Sequence, residues 1–295
     1  MILWLAVPVV FVVAVAGGMM AISRHYQVPR VPHRRDPDAL GIPFEEIHFP
    51  TVKNKTLYGW WIPAGSTNFS SPPTLILVHG WSRNVQRVLP FIRKLHPAGF
   101  NLLAFDARSH GSSDDDGTAN MLKFSEDIRA AVEEAIRRGA DPARIGLLGL
   151  SVGGAASIHA AARDRRIRAL VTIGAFAHPG DLMRDELHQR RIPDLFIPLV
   201  MRYVEHSIGA RLDEIAPEAN IGKITVPFLL VHGEQDAIVP VEQGRRLAAA
   251  AGDNVEALFL PTRGHSNCDR DPVFWPRVFE LLSETFPRRD GISSR

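Results

Sequence analysis

The sequence contains only one cysteine, Cys268, among 295 residues. An internal disulfide needs two cysteines and a multi-cysteine metal site needs several, so the sequence excludes both. It also lacks a His-Glu-x-x-His segment, the zinc-binding pattern of many metallopeptidases. No metal or organic cofactor is required by any pattern present, and we expect a chemistry carried by side chains alone.

Basic and acidic residues are almost equal in number. The chain has 34 basic and 32 acidic residues, a net charge of +2, and no long basic or acidic tract. A nucleic-acid-binding surface normally needs a stripe of one sign, so we expect no nucleic-acid partner. Internal repeats are absent, and 295 residues with 45% hydrophobic content favour one large α/β domain over several small ones.

The N-terminus is more hydrophobic than the rest of the chain, because residues 2–22 include no charged residue. As a helix these 21 residues would extend roughly 32 Å, enough for a hydrocarbon core of roughly 30 Å. A cleaved signal peptide ending near Ala14-Val15-Ala16 is one interpretation, which would give a secreted enzyme. However, no Lys or Arg precedes the apolar run, as such peptides normally require.

The other interpretation is a retained membrane anchor. The apolar run continues to Ile22 and is followed by Arg24, Arg30, Arg34 and Arg35, a basic flank that favours a cytoplasmic location for the downstream chain. We therefore predict an N-terminal hydrophobic helix in residues 1–23 that anchors a cytoplasmic catalytic domain. Residues 24–44, rich in proline, are predicted to form an extended linker.

Beyond residue 44 the sequence alternates between strand-like and helical patterns. Two segments, 46–52 and 57–62, are typical of a leading antiparallel pair. Short apolar runs, typical of strands buried on both faces, follow at 74–78, 101–105, 145–150, 169–173, 228–231 and 257–260. Helical spacing occupies 85–96, 125–138, 152–163, 241–251 and 272–286. The alternation predicts an α/β fold over residues 45–287, with a mostly parallel central sheet flanked by helices.

One insertion, residues 177–225, breaks this alternation. Its apolar residues recur at helical spacing, and no strand-like run competes with it. It is interpreted either as a small helical cap over the carboxyl edge of the sheet, where ligands bind in open α/β folds, or as an ordinary pair of packing helices.

The strongest chemical signal is Ser151 in the segment Gly149-Leu150-Ser151-Val152-Gly153. It follows a buried strand and precedes a helix of small residues. A nucleophilic serine must stand on a tight, strained turn, where side chains two residues before and after it would collide with neighbouring backbone. A helix N-terminus also supplies N–H groups where an oxyanion forms.

A serine nucleophile needs a base and a group that orients the base. His265 lies in the loop after the last predicted strand and before the final helix, where a base is expected. Asp236 follows another strand, within Gly233-Glu234-Gln235-Asp236. Glu234 is the rival acid, although a solvated loop carboxylate is the simpler interpretation of it.

The order Ser151, Asp236, His265 and its strand context resemble the α/β-hydrolase superfamily over roughly residues 45–287. Further matching segments are Val78-His79-Gly80-Trp81, Phe105-Asp106-Ala107-Arg108 and Val231-His232-Gly233-Glu234. The resemblance implies that the backbone N–H groups of Trp81 and Val152 form the oxyanion hole. It also implies that His79, Asp106 and Arg108 shape loops near the site. The segment after Val78 differs from the Gly-rich loop of lipases and esterases. The substrate type of those enzymes can therefore not be assigned to this chain from the resemblance.

The predicted activity is that of a serine hydrolase that cleaves a carboxylic ester through an acyl-enzyme intermediate. The partner expected is a small-molecule ester or acyl substrate. Three alternatives keep the same machinery: a serine peptidase, a thioesterase and an acyltransferase. A fourth belongs to another class, a non-catalytic binding protein with this fold.

Overall fold

The computed structural model describes residues 27–65, 69 and 71–288. The predicted hydrophobic helix of residues 1–23 lies outside the described residues. Among the helices that the structure does describe, none has the length and apolarity needed to cross a bilayer.

An eight-stranded sheet forms the centre of the domain, in the order β1-β2-β4-β3-β5-β6-β7-β8. The antiparallel pairs β1–β2 and β2–β4 occupy one side, and the remaining neighbours are parallel. The predicted leading hairpin and mostly parallel sheet are therefore confirmed. The strands are β1 Glu45–Thr51, β2 Lys55–Ile62, β3 Thr74–Val78, β4 Asn101–Phe105, β5 Ile145–Leu150, β6 Ile167–Ile173, β7 Phe228–Gly233 and β8 Val255–Leu260.

Helices cover both faces of the sheet, because the central strands are apolar on both faces. One apolar core joins one face to α2, α3 and α8 through side chains such as Phe124, Ile158 and Leu247. The other joins the opposite face to α1 and α9 through Phe91 and Val278. The helices are α1 Leu89–Leu95, α2 Met121–Arg137, α3 Val152–Ala161, α4 Pro179–Gln189, α5 Ile197–Ile208, α6 Leu212–Ile215, α7 Pro217–Ile221, α8 Val241–Ala249 and α9 Phe274–Thr285.

Helix α2 begins four residues earlier than the sequence pattern indicated. The side chain of Asn120 accepts a hydrogen bond from the Lys123 N–H and caps the helix. Ser125, expected near the start, is therefore inside the helix. The acidic residues beside it have another task, since Glu126 and Asp127 both bind the Arg108 guanidinium.

The proline-rich segment contacts the domain at several of its described residues. The Val31 carbonyl accepts a hydrogen bond from Asn84 Nδ2 at 2.9 Å, and His33 Nε2 lies 2.8 Å from Asp106 Oδ2. Pro37 opens a short 3₁₀ turn and is buried, as is Ile42. The expected linker therefore lies along the catalytic domain rather than standing away from it.

The insertion between β6 and β7 is a helical cap formed by α4 to α7. In α4 and α5 few long apolar side chains are buried, namely Leu187, Ile197 and Val204, whereas α6 and α7 bury Leu212, Ile215 and Ile221. Other side chains of α4 and α5 line the same cavity as Ser151, so these helices cover the carboxyl edge of the sheet. Of the two interpretations of residues 177–225, the structure selects the cap.

Candidate active site

Ser151 stands on a strained turn between β5 and α3. Its backbone has φ 54° and ψ −123°, a conformation that residues with a Cβ rarely adopt. The flanking glycines are required by close backbone approach. A Cβ on Gly149 would lie 2.6 Å from the Gly153 carbonyl oxygen, and one on Gly153 would lie 2.4 Å from the His79 carbonyl oxygen. Any larger residue at either position would therefore collide with backbone, as the glycine spacing predicted.

The end of β6 brings the three predicted site residues to one edge of the sheet. The Ser151 N–H donates to the Ile173 carbonyl at 2.8 Å. The next residue, Gly174, has φ +63°, and a Cβ there would lie 3.2 Å from His265 Nδ1 and 3.4 Å from Asp236 Oδ2. Ser151 and the Asp236–His265 pair thus pack against two consecutive residues of the same strand end.

Asp236 and His265 form a direct hydrogen bond, with Nδ1 and Oδ2 2.7 Å apart. The other carboxylate oxygen accepts from the N–H groups of Ile238 and Val239, each at 2.9 Å. Burial raises the pKa of the Asp236 carboxyl, but hydrogen bonds from His265 and Val239 outweigh it and hold the pKa below the ordinary 3.8. An ionised carboxylate only accepts, so Nδ1 carries the proton and Nε2 is left as the acceptor.

Ser151 and His265 both lie near the end of β6, but their side chains are not hydrogen-bonded to each other. Within the residues that the structure describes, no hydrogen bond links Ser151 Oγ to the His265 imidazole. Such contacts in unliganded enzymes are often long and tighten when substrate binds. The two groups therefore have to approach to hydrogen-bond distance before a proton can move between them.

The rival acid, Glu234, lies apart from His265. Its carboxylate is exposed, and the contact it makes is with Arg245 Nη2 at 3.4 Å. The structure therefore brings Asp236, and not Glu234, to the imidazole.

His232 is a buried neighbour of the pair that the motif does not explain. Its Nε2–H donates to the Val239 carbonyl at 2.9 Å and lies 3.6 Å from Asp236 Oδ2. Burial lowers the pKa of His232, so the ring is neutral at neutral pH. It fixes the turn that holds Asp236. In the sequence, His232 was part of a segment that resembles the α/β-hydrolase superfamily, but no role was assigned to its side chain.

The loop after β3 packs directly against the turn that carries Ser151, which we call the nucleophile elbow. A Cβ on Gly80 would lie 3.3 Å from Ser151 Cβ, and Trp81 and Val152 line the same cavity as Ser151. The His79 ring fixes this loop, because Nδ1 donates to the Gly80 carbonyl at 2.7 Å and Nε2 accepts from the Ala107 N–H at 3.0 Å. Both ring nitrogens are occupied, so His79 is a structural loop residue, as expected.

Asp106 and Arg108 stabilise the loops around the site through buried polar contacts. Asp106 accepts from the Val85 N–H at 2.6 Å and from the Ser112 N–H at 2.8 Å. A Cβ on Gly111 would lie 2.0 Å from Asp106 Oδ2, so glycine is required there. Arg108 is fully buried and its Nε donates to Asp127 Oδ1 at 2.7 Å. Neither side chain lines the cavity.

A cavity of about 700 Å³ opens beside Ser151. The sheet edge contributes Trp81, Val152, Ile238 and Val239. The cap contributes mostly apolar side chains, among them Leu182, Met183, Tyr203, Val204, Ile208 and Leu212, and also the polar Asp185, Glu186, Gln189 and Ser207. The walls suit an apolar substrate group placed next to the serine. Among the described residues, no group of three or more His, Cys, Asp or Glu side chains is arranged to hold a metal ion.

Comparison with known proteins places the fold among hydrolases. Residues 71–207 match the model of a family described as serine aminopeptidase, S33. The structure superposes on an esterase from Pyrococcus furiosus with a TM-score of 0.70, at 26% identity, over 88% of this chain and 98% of the esterase. An acylaminoacyl peptidase from Pyrococcus horikoshii, 15% identical, shares the fold with a TM-score of 0.64, over 88% of this chain and 45% of the peptidase.

Among sequence relatives, the uncharacterized protein YfhR of Escherichia coli (strain K12) is 27% identical over 77% of this chain and 75% of its own length. An uncharacterized protein of Mycobacterium tuberculosis (strain H37Rv) is 26% identical over 75% of this chain and 72% of its own length. The fold and these matches define the class: a hydrolase built on the α/β-hydrolase fold. The chain is a member of the α/β-hydrolase superfamily.

Proposed function

We propose that this hydrolase is a serine esterase that cleaves carboxylic esters through an acyl-enzyme intermediate. The observation that carries the proposal is the 2.7 Å hydrogen bond between Asp236 and His265, at the sheet edge where Ser151 occupies its strained turn. The chain order of a serine on such a turn, an aspartate and a histidine is typical of enzymes that catalyse acyl transfer.

In the proposed mechanism, His265 Nε2 removes the Ser151 hydroxyl proton as Oγ attacks the ester carbonyl. Asp236 holds the imidazole tautomer and stabilises its positive charge. Backbone N–H groups of Trp81 and Val152 donate to the oxyanion, each contributing about 3 kcal/mol in comparable enzymes. The imidazolium then protonates the departing alcohol, and a water activated by His265 hydrolyses the acyl-enzyme.

The preference for esters is supported by the apolar walls of the cavity and by the likeness to the Pyrococcus furiosus esterase. A serine peptidase is the second candidate, and the match to the serine aminopeptidase model favours it. A series of p-nitrophenyl acyl esters of increasing chain length, compared with aminoacyl-nitroanilides, separates the two. We expect faster turnover of the esters, whereas faster turnover of the anilides would reject the esterase.

Labelling with a fluorophosphonate probe tests the nucleophile itself. We expect wild-type protein to be labelled and Ser151→Ala to be unlabelled. Ser157→Ala is the matched control, because this nearby hydroxyl already donates to the Gly153 carbonyl at 2.7 Å. Folded wild-type protein that takes no label would instead favour a non-catalytic binding protein.

We also propose that residues 2–22 are retained as a membrane anchor, with the catalytic domain on the cytoplasmic side. The length of the uncharged run and the arginines after it support this topology. N-terminal sequencing of protein from its native host tests it. A mature chain that starts near Gly17 would reject the anchor in favour of a cleaved signal peptide.

A further inference from the structure

Three large apolar side chains project from the cap into solvent. Leu195 is 83% exposed, Leu199 46% and Phe196 45%. We call these three residues the cap patch. Single exposed apolar residues are common on soluble proteins, but three large ones within five positions are a feature of binding surfaces.

The cap patch is continuous with the wall of the active-site cavity. Leu199 and Tyr203 are four residues apart in α5, so they share one face of the helix. Tyr203 and Ser207, one further turn along, line the cavity. Ile238, from the sheet edge, lines the same cavity and is 67% exposed. An apolar surface therefore extends from the outside of the cap to the cavity beside Ser151.

The first described residues of the chain lie at the same cavity. Gln27 and Pro29 line the same cavity. The uncharged run of residues 2–22 ends five positions before Gln27. Five residues span at most about 18 Å even when fully extended. If residues 2–22 occupy a bilayer, the bilayer surface is held within that reach of the cavity.

From this geometry we propose that the cap patch docks on the lipid bilayer and that the enzyme draws a long-chain acyl ester from the membrane into the cavity. The inference rests on the proposed esterase function and on the proposed anchor. A membrane-spanning segment would hold the enzyme at the bilayer by itself, and apolar side chains that enter the interface would fix which face of the domain meets the lipid.

The kinetic test uses the full chain in phosphatidylcholine vesicles and two substrates. One is 4-methylumbelliferyl oleate carried in the vesicles, and the other is p-nitrophenyl acetate in solution. The variant is Leu195→Ser/Phe196→Ser/Leu199→Ser. The control is Val52→Ser/Val273→Ser, which removes side chains that are 43% and 47% exposed and do not line the cavity.

We expect the cap variant to lose about tenfold or more of its rate on the oleate ester while its rate on acetate stays within about twofold. The unchanged acetate rate shows that the variant is folded and active. The control should match wild type on both substrates. Wild-type rates of the cap variant on oleate would overturn the docking surface. If wild type hydrolyses neither ester, the proposed function fails, and docking is decided by fluorescence.

For fluorescence, Leu199→Cys is labelled with an environment-sensitive NBD dye. The native Cys268 is buried and burial raises its pKa to about 12, so it stays unlabelled. We expect blue-shifted emission that spin-labelled phosphatidylcholine quenches at least about twofold, and no quenching for dye on Val52→Cys. Blue-shifted emission without quenching means that the N-terminal segment or a second copy covers the patch. Unshifted emission means that water does. Both results contradict the proposal.

Discussion

The sheet edge and the cap face each other across one cavity, but they are built differently. At the sheet edge, backbone approaches backbone so closely that a Cβ on Gly153 would lie 2.4 Å from the His79 carbonyl oxygen. In the cap, α5 buries only Ile197 and Val204 and leaves Leu199 half exposed. Close packing fixes the turn that carries Ser151, whereas the cap helix opposite it buries few of its side chains. We therefore expect abrupt losses from changes at the edge and graded ones in the cap.

The largest effect is expected from Asp236→Asn. The N–H groups of Ile238 and Val239 would hold the amide oxygen of the variant, so its NH2 group would face His265 Nδ1 and favour the tautomer with the proton on Nε2. We therefore expect kcat for ester hydrolysis to fall by about 10⁴-fold. Glu234→Gln is the matched control, because it makes the same change in the same loop at a carboxylate that contacts Arg245. Equal losses in the two variants would contradict the assignment of Asp236.

Gly153→Ala is expected to cause the next largest effect, on stability. The added Cβ would collide with the His79 carbonyl oxygen, and the backbone has no room to move. The free energy of unfolding should fall by about 3 kcal/mol. Gly65→Ala is the control, since its nearest neighbour would be His96 at 3.8 Å. Urea unfolding measures both, and a wild-type midpoint for Gly153→Ala would show that the elbow tolerates a side chain.

A smaller effect is expected in the pH dependence of stability, through His110. Burial lowers its pKa from 6.5 to about 3, so the folded state stays neutral where the unfolded chain binds a proton. Between pH 6.5 and about 3 the unfolded state therefore holds more protons, and stability falls as pH falls. His110→Gln should make this slope shallower by up to about 1.4 kcal/mol per pH unit.

The measurement for His110 is urea unfolding at pH 6 and at pH 5. His206→Gln, at an exposed histidine of the cap, should leave the wild-type slope unchanged. The same slope in His110→Gln and wild type would show that His110 is not the source of the acid sensitivity.

The smallest effect is expected from Arg246→Met, which breaks an ion-pair group between α8 and the cap. The Arg246 guanidinium pairs with Asp181 of α4 and lies 2.6 Å from Glu218 of α7. All three side chains are partly exposed, so the loss in unfolding free energy should be below about 1 kcal/mol. Differential scanning calorimetry checks this, and a drop as large as that of Gly153→Ala would contradict a loosely held cap.

Strands were easier to predict than their surroundings. The bounds of β3, β4 and β5 agree with the apolar runs to the residue, because a strand covered on both faces must be apolar throughout. The edge strand β8 begins two residues before its predicted start, since exposed positions there relax the pattern. The segments that carry Ser151, Asp236 and His265 were located for a similar reason: each follows a recognisable strand.

What the sequence did not reveal depends on contacts between distant residues. The start of α2 was misplaced because Asp127 serves Arg108, nineteen positions away, rather than the helix terminus. The proline-rich segment binds the domain through His33 and Asp106, which no local pattern links. The catalytic roles of Ser151 and its partners stay predictions that the kinetic experiments decide.

The position of the cap in the chain has a consequence for how selectivity changes. It is inserted between β6 and β7, which are adjacent parallel strands, so the chain leaves the sheet at the carboxyl end of β6 and returns to it at the amino end of β7. Doubling the length of such a connection costs only about 0.6 kcal/mol in chain entropy. Segments of other lengths and compositions can therefore replace α4 and α5, whereas Leu212, Ile215, Ile221 and Ile224 belong to the core under the sheet and have to be kept. One wall of the cavity can therefore be exchanged while the strand ends that carry Ser151, Asp236 and His265 stay unchanged.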